Sequence, residues 1–461
     1  MDRQEAIVEF EFRRRGALTT KELAAALAVS QPTVSRLLTS FKGPRIHRMG
    51  GARSTRYALS RNIPALGSDW PIYEIDFDGK THLIGNLHAL EAKQWFFEQK
   101  VPWGTLRGEE FPYGLYPDFP WFLDDLRPRG FLGRAFALKY GKLLGLSADP
   151  RAWMADDVLS ALLRYGRNLQ GSFVIGEEML SAVQESMLGN QDMLASASRT
   201  KAYPSMADAI IAGEWPGSSA AGEQPKFTAC IKDGRSIRHV IVKFNGDRGR
   251  PEDIRWADLL VAEQLASSIL SDAGITASKT QLITAGGRHF LESARFDRVG
   301  AYGRKGLVSL AALDAAFLGY PDTPWTVAAE KLQRTGWLSS GDADRLSALW
   351  WFGTLIGNTD MHYGNISLYL ERNRPISLAP SYDMLPMLYR PNIEGSLPDR
   401  PITPPPPPPE SIKCWSRASA LASTFWTSLS KSSDVSSAFR KIAKQNLDSI
   451  SKYNKQFSQF S

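Results

Sequence analysis

The sequence predicts an α+β chain in two parts: a small basic helical head, then a two-lobed body with strands first and helices second. Three observations carry this. Residues 1–62 hold 12 Lys/Arg against 5 Asp/Glu, so the whole net charge of +7 lies in the head and the remaining chain is neutral. Residues 227–291 show short alternating runs separated by Gly-rich turns, and helical periodicity dominates from 307 onward. Finally, 43% hydrophobic and 22% charged residues over 461 positions give a globular balance, with length for two or three domains.

Taken in order, residues 5–15 have helical spacing with Ile7, Val8 and Phe10 on an apolar stripe. Thr19-Thr20 offers an N-cap, with Glu22 early in the next helix, and Ala28-Val29 makes the turn. Ser30 caps a further helix that carries Pro32 in its first turn. Gly50-Gly51 then separates two short strands. This is the pattern of a winged helix-turn-helix, and "LTTKELAAALAVSQPTVSRLLTSFK" resembles bacterial DNA-binding regulators. Gln31, Thr33, Ser35 and Arg36 are expected to face the major groove, and Arg45, Arg48, Arg53 and Arg56 to meet phosphates. From 23 to 62 there are seven basic residues and no acid, which predicts a polyanionic partner for this segment, double-stranded DNA.

Residues 63–69 read as a linker, and 70–205 as a mixed scaffold with a strand-like start, a Pro/aromatic loop and helices. Residues 206–300 read as a strand-rich lobe and 301–461 as a helical lobe, with the proline run 404–409 as a stiff spacer. Two cysteines, Cys230 and Cys414, build neither a disulfide framework nor a thiolate metal site. The charged N-terminus lacks a signal-peptide core, and no apolar run reaches the ~18–20 residues that span a bilayer. A cytoplasmic protein with no membrane partner is expected.

The chemistry concentrates in "GNTDMHYGN" and "SYDMLPM". Asp360 stands five residues before Asn365, and Asp383 follows eighteen residues after Asn365, across a segment that reads as a hairpin. Phosphoryl transfer needs a carboxylate near the attacking hydroxyl and oxygen ligands for Mg²⁺ bridging ATP phosphates, and protein kinases use this Asp–Asn interval. A two-lobed protein-kinase-like fold follows. "RHVIVKF" places Lys243 at a strand end, where it can meet phosphates. The preceding "GSSAAGEQPKFTACI" has small residues that let backbone N–H groups approach phosphate, yet matches neither GxxxxGK[ST] nor GxGxxG. Asp258 and Glu263 both lie on the following helix, and spacing does not choose which pairs with Lys243.

"SSAAGEQPKF", "HVIVKF", "ARFDR", "GNTDMHYGN" and "YDMLPM" occur in the order seen in the HipA family of bacterial toxin kinases, and the chain resembles that family from about residue 70 to 426. With its own helix-turn-helix, it is similar to the YjjJ-type branch. The resemblance implies Asp360 as catalytic base, Asn365 and Asp383 as Mg²⁺ ligands, and Lys243 on ATP phosphates. It implies adenine held by the backbone of Ala294 and Phe296, Asp297 near the ribose, and further nucleotide contacts from Gly222, Gln224 and His362. Ser219 matches the family's autophosphorylated serine, with Ser218 an adjacent rival; phosphate there adds ~−1.5 to −2 charge. Met361 and Tyr363 replace small residues usual after the base, and Ala294 stands where an acid is usual. The implied substrate is a translation protein of the aminoacyl-tRNA synthetase class.

The leading expectation is an ATP-dependent Ser/Thr protein kinase whose DNA-binding head autoregulates it. The alternatives are a small-molecule phosphotransferase, a DNA-binding regulator whose kinase-like part senses nucleotide, and a metal-dependent nuclease using His362. Whether toxicity needs a separate antitoxin, and the oligomeric state, stay open, although winged-helix regulators often dimerise on palindromic DNA. Four to seven phosphate contacts from the head predict a log affinity–log salt slope of roughly −4 to −6 on duplex DNA. A fluorescence titration from 50 to 200 mM salt checks this, and a flat response refutes it.

Overall fold

The computed structural model describes residues 3–51, 54–188, 193–211, 224–246, 249–321, 323–392 and 394–457. The head runs α1 (Arg3–Arg15), β1 (Leu18–Thr19), α2 (Thr20–Leu27), α3 (Gln31–Ser40), β2 (Ile46–Met49) and β3 (Arg56–Leu59), with sheet order β1-β3-β2. That is the winged-helix order. Thr19 caps α2 with a reciprocal bond to Glu22, Ala28 takes the left-handed conformation that ends it, and Ser30 caps α3. Val8, Phe12, Leu18, Leu23, Val34 and Leu59 form its own core.

The head is not loosely tethered. Ala17, Met49 and Ala58 share a second core with Leu90 and Phe96 of the next domain. The Ala17 amide donates to Gln94 (2.7 Å), and Arg61 grips Asp156 with two bonds of 2.6 and 2.9 Å. The expected linker is a tight turn instead: Ile63 is buried, and its amide bonds the Gly67 carbonyl.

The middle sheet has the order β7-β6-β5-β4-β8, from β4 (Asp69–Ile75), β5 (Thr81–Ala89), β6 (Trp95–Gln99), β7 (Leu115–Tyr116) and β8 (Phe173–Ile175). Helices α4 (Gly104–Arg107), α5 (Gly130–Leu144), α6 (Ala155–Tyr165) and α7 (Glu177–Leu188) accompany it. Its aromatic core, with Trp95, Trp103 and Phe122, runs without a break into the helical lobe.

The second sheet, order β12-β13-β11-β10-β9, comprises β9 (Met193–Ala195), β10 (Lys226–Asp233), β11 (Ser236–Phe244), β12 (Thr280–Ala285) and β13 (Arg288–Ala294). α8 (Arg199–Ile211) buries Tyr203, Ala207 and Ile210 against Phe227, Val242 and Phe290 of this sheet. The strand-rich lobe therefore begins near 193, not 206, because β9 and α8 complete its sheet and its core. α9 (Pro251–Asp272) packs on β12 and β13 and buries Asp258 and Glu263 along with its apolar residues.

Short pairs β14 (Arg298–Val299) with β15 (Gly303–Arg304), and β16 (Leu307–Ser309) with β17 (Ser367–Tyr369), lead into the helical lobe. α10 (Leu310–Leu313), α11 (Trp325–Arg334), α12 (Ser340–Leu355), α13 (Ile412–Lys431) and α14 (Ser437–Phe457) build it. Only three residues of the expected hairpin after Asn365 are strand, the return being a single bridge from Leu368 to Leu378. Pro404 and Pro407 are buried while Pro405, Pro406, Pro408 and Pro409 are exposed, the three-residue period of a polyproline helix lying on the lobe. Among the described residues no helix is long and apolar enough to cross a membrane.

The head-to-body contact carries a pH signal. His47 is buried, bonds Ser60 (2.7 Å), and has its ring 4.4 Å from that of His88. Burial, then the neighbouring His88, lowers its pKa to about 4. His47 is thus neutral in the docked state and titrates near 6.5 when exposed, so the stability it confers is complete above pH 6.5 and is lost as pH falls toward 4. Hydrogen-exchange protection of residues 46–60 should fall by about 2 kcal/mol between pH 7.5 and 5. His47→Gln should reduce that dependence, with His88, whose pKa burial also lowers, accounting for the rest; equal protection at both pH values would show the contact does not titrate.

Candidate active site at the junction of the two lobes

Lys243 is the penultimate residue of β11, where the alternating apolar strand turns its side chain under the lobe; only 4% of it is exposed. Its ammonium donates to both oxygens of Glu263 (2.6 and 2.7 Å) and to Oδ1 of Asp383 (2.6 Å). The partner left open by spacing is thereby settled as Glu263. Asp258, one and a half turns earlier on α9, accepts instead from the amide and hydroxyl of Ser436 and fixes the start of α14.

Burial alone would lower the Lys243 pKa, but the charges of Asp383 and Glu263 outweigh it and hold the ammonium above its ordinary value. For Asp383, burial pulls upward, and the charge of Lys243, joined by Lys226 across the ladder, brings the carboxyl down to about 2. Burial raises Glu263. The Lys243–Asp383 pair is therefore formed above about pH 4 and is lost as pH falls through about 2.

Asp383 is a non-glycine residue at φ +54, a left-handed conformation that persists only where its surroundings enforce it. Those surroundings are hydrogen bonds. The Asn358 amide donates to the Asp383 carbonyl (3.3 Å), while its oxygen accepts the Asp360 amide (3.0 Å). The Asn365 amide donates to the Asp360 carbonyl (2.6 Å). The Tyr382 hydroxyl donates to the Gly364 carbonyl (2.9 Å) and meets Ser367 (2.9 Å). Asp360, Asn365 and Asp383 thus belong to one network. Asn358 and Tyr382 hold it together; both lie inside the quoted motifs, but neither bears a group that reacts, so motif reading gave them no part.

The donor set fits a hard divalent cation. With its nitrogen committed to Asp360, Asn365 presents its oxygen, and Asp383 keeps the carboxylate oxygen that Lys243 does not take. Among the described residues no group of three His, Cys, Asp or Glu could hold a metal alone. A cation here would need further oxygens from a ligand, which is how Mg²⁺ is commonly held with phosphates.

The other expected contacts divide. Phe296 lies over Tyr382 (ring centroids 5.7 Å), one residue from Asp383. Ala294 has its amide on Lys279 and its carbonyl on the Ser278 hydroxyl, so its backbone is committed within the fold. Asp297 is 4% exposed and bonded by Arg295, Arg298 and the Gly171 amide, with its pKa held low by the arginine charges against burial. It is a framework residue tying the lobe to residues 167–171 of the middle domain, not an open ribose ligand. His362 is exposed and accepts the Gly364 amide. Gln224 is buried at the edge of β10, whereas Gly222, Ser218 and Ser219 lie outside the described residues.

On the head, Gln31, Ser35, Arg36, Arg45 and Arg48 are exposed, as a groove-facing surface requires. Thr33 is half-buried against its cap Ser30, and Arg56 turns back to the Ala17 carbonyl (3.1 Å), so these two serve the fold of the head. Arg53 lies outside the described residues.

Residues 66–184 match the family model of the YjjJ-like toxin middle domain, and 218–449 that of the HipA-like C-terminal domain. Toxin YjjJ of Escherichia coli (strain K12) is 37% identical over 442 residues, covering 95% of each chain. The HipA–HipB–operator DNA complex of Shewanella oneidensis MR-1 contains a chain of the same fold, with TM-score 0.54 and 13% identity over 85% of this chain and 99% of that one. The Helicobacter pylori proinflammatory kinase CtkA aligns over 52% of this chain and 93% of its own at a TM-score of 0.34, too low to bear on the fold. Fold, site network and relatives together place the chain in the HipA-like toxin family, on its YjjJ-like branch.

Proposed function

We propose that the chain is an ATP- and Mg²⁺-dependent Ser/Thr protein kinase acting in the cytoplasm, with its N-terminal head binding operator DNA for autoregulation. The observation that carries this is the Lys243–Glu263–Asp383 triangle, with Lys243 and Glu263 buried and Asp383 partly exposed, joined by hydrogen bonds to Asp360 and Asn365. In this reading Lys243 meets the nucleotide phosphates, and Asn365 and Asp383 hold Mg²⁺, which would neutralise charge on the transferring group. Asp360 accepts the proton of the acceptor hydroxyl. Phe296 supports the adenine, Gln224 borders the phosphate loop, and Ser219 is the autophosphorylation position. The acceptor is a translation-related protein. A toxin relative described with an antitoxin and operator DNA supports the autoregulatory role of the head. A nucleotide sensor or a nuclease would leave part of this constellation without a task; a small-molecule kinase would use all of it, and the HipA-like family favours a protein acceptor.

Two experiments test the reading. Labelling of lysate protein with γ-phosphate should fall by roughly 10²–10⁴-fold in Asp360→Ala. Undiminished transfer would remove Asp360 from the chemistry. Lys243→Met should destabilise the fold by roughly 3–5 kcal/mol in urea unfolding, because it leaves Glu263 buried without its partner. Adding Glu263→Met should restore most of that loss, and a double variant no more stable than the single one would refute the pairing as a source of stability.

A further inference from the structure

Beside Asp360 runs a groove of about 570 Å³, with the catalytic loop on one side and residues 400–405 on the other. We propose that it seats the acceptor as an extended stretch of polypeptide, and that residues 400–405 select the sequence bound there. The proposal rests on the kinase reading and specifies its substrate side.

The wall is built, not incidental. The Tyr389 hydroxyl donates to the Arg400 carbonyl (2.9 Å), and Asn446 of α14 accepts the Ile402 amide (3.0 Å) while its own amide bonds Tyr389 (2.7 Å). Tyr389 and Asn446 are both fully buried. A Cβ on Gly357, the first residue of the catalytic motif, would lie 2.9 Å from the Ile402 side chain, so wall and loop are in direct contact. Positions 400–402 are thus fixed before any acceptor arrives, which lowers the ordering cost of binding.

The lining identifies the class of acceptor. Trp350, Leu388, Ile402 and Pro404 give apolar faces suited to peptide side chains. Between them Thr359 and Thr403 are exposed and offer hydroxyls to the backbone of an extended chain. Beside Asp360, His362 and Tyr363, the groove is lined by the guanidinium of Arg400, which is exposed and springs from a backbone pinned by Tyr389. With Asp360 committed to the acceptor hydroxyl, Arg400 favours an acidic residue near the phosphorylated Ser or Thr, alongside an apolar one.

The test uses the full-length protein with Mg²⁺-ATP and positional-scanning peptide mixtures containing one fixed Ser or Thr, reading transferred γ-phosphate. The wild type should favour Asp/Glu over Lys/Arg at one position near the acceptor. Arg400→Glu should reverse that preference, changing the ratio of kcat/KM values roughly tenfold, about 1.4 kcal/mol. Both peptides are compared on one sample, so loss of folded protein cancels. An identical ratio in both proteins overturns the proposal. Asp360-dependent labelling of a lysate protein with no labelling of any peptide overturns the groove assignment and leaves the kinase reading standing, while absence of all transfer removes both.

Discussion

An ammonium group sealed between two carboxylates is costly to bury and costly to disturb, and the body of this protein is organised around one. Lys243 comes from a strand, Glu263 from the helix after it, and Asp383 from the stretch between β17 and α13 of the helical lobe. Removing Lys243 leaves both carboxylates without their counter-charge. The triangle therefore fixes how the sheet, α9 and the helical lobe meet. It also carries one more negative than positive charge, so it offers a net carboxylate to whatever cation comes between Asp383 and a bound ligand.

A second buried cluster of opposite sign performs the matching task on the other face. Arg295 and Arg298 enclose Asp297 and spend their remaining N–H groups on the carbonyls of Leu169 and Gly171 and on Asn168. Guanidinium groups suit this because five donors in a planar fork can serve a carboxylate and several carbonyls together. The middle domain is thereby locked to the end of β13, close to Phe296. The scaffold and the nucleotide side of the proposed site are in this way one rigid unit, consistent with the aromatic core that runs from the middle domain into the helical lobe.

The elements and the candidate site motifs were legible in the sequence because each is written locally. Capping by Thr19 and Ser30, the alternation of 239–244 and the Asp360–Asn365 interval need only a few neighbouring residues to be read. What was not legible depends on partners far along the chain. Asp258 and Glu263 are equivalent by helical pattern, and only the arrival of Ser436 and Lys243 separates them. Asp297 looks like an exposed ligand in "ARFDR" until residues 167–171 return beside it. Ala294 and Arg56 likewise had their partners, Ser278 and Ala17, assigned by tertiary contacts. Motif spacing reports which atoms can react, and it does not report which of them the fold has already used.

The same reasoning changes the standing of the C-terminal segment, which composition presents as a proline spacer followed by a polar tail. Asn446 on α14 reaches Tyr389, and through Tyr389 and Ile402 its constraint arrives at Gly357, three residues before Asp360. Arg255 of α9 bonds the carbonyls of Tyr389 and Pro398 from the opposite side. The helix that carries Glu263 and the last helix of the chain therefore grip one segment, and that segment abuts the catalytic loop. In the proposed reaction, placing Asp360 to within a fraction of an ångström would require rigid support on every side. In this fold that support comes from residues nearly a hundred positions downstream.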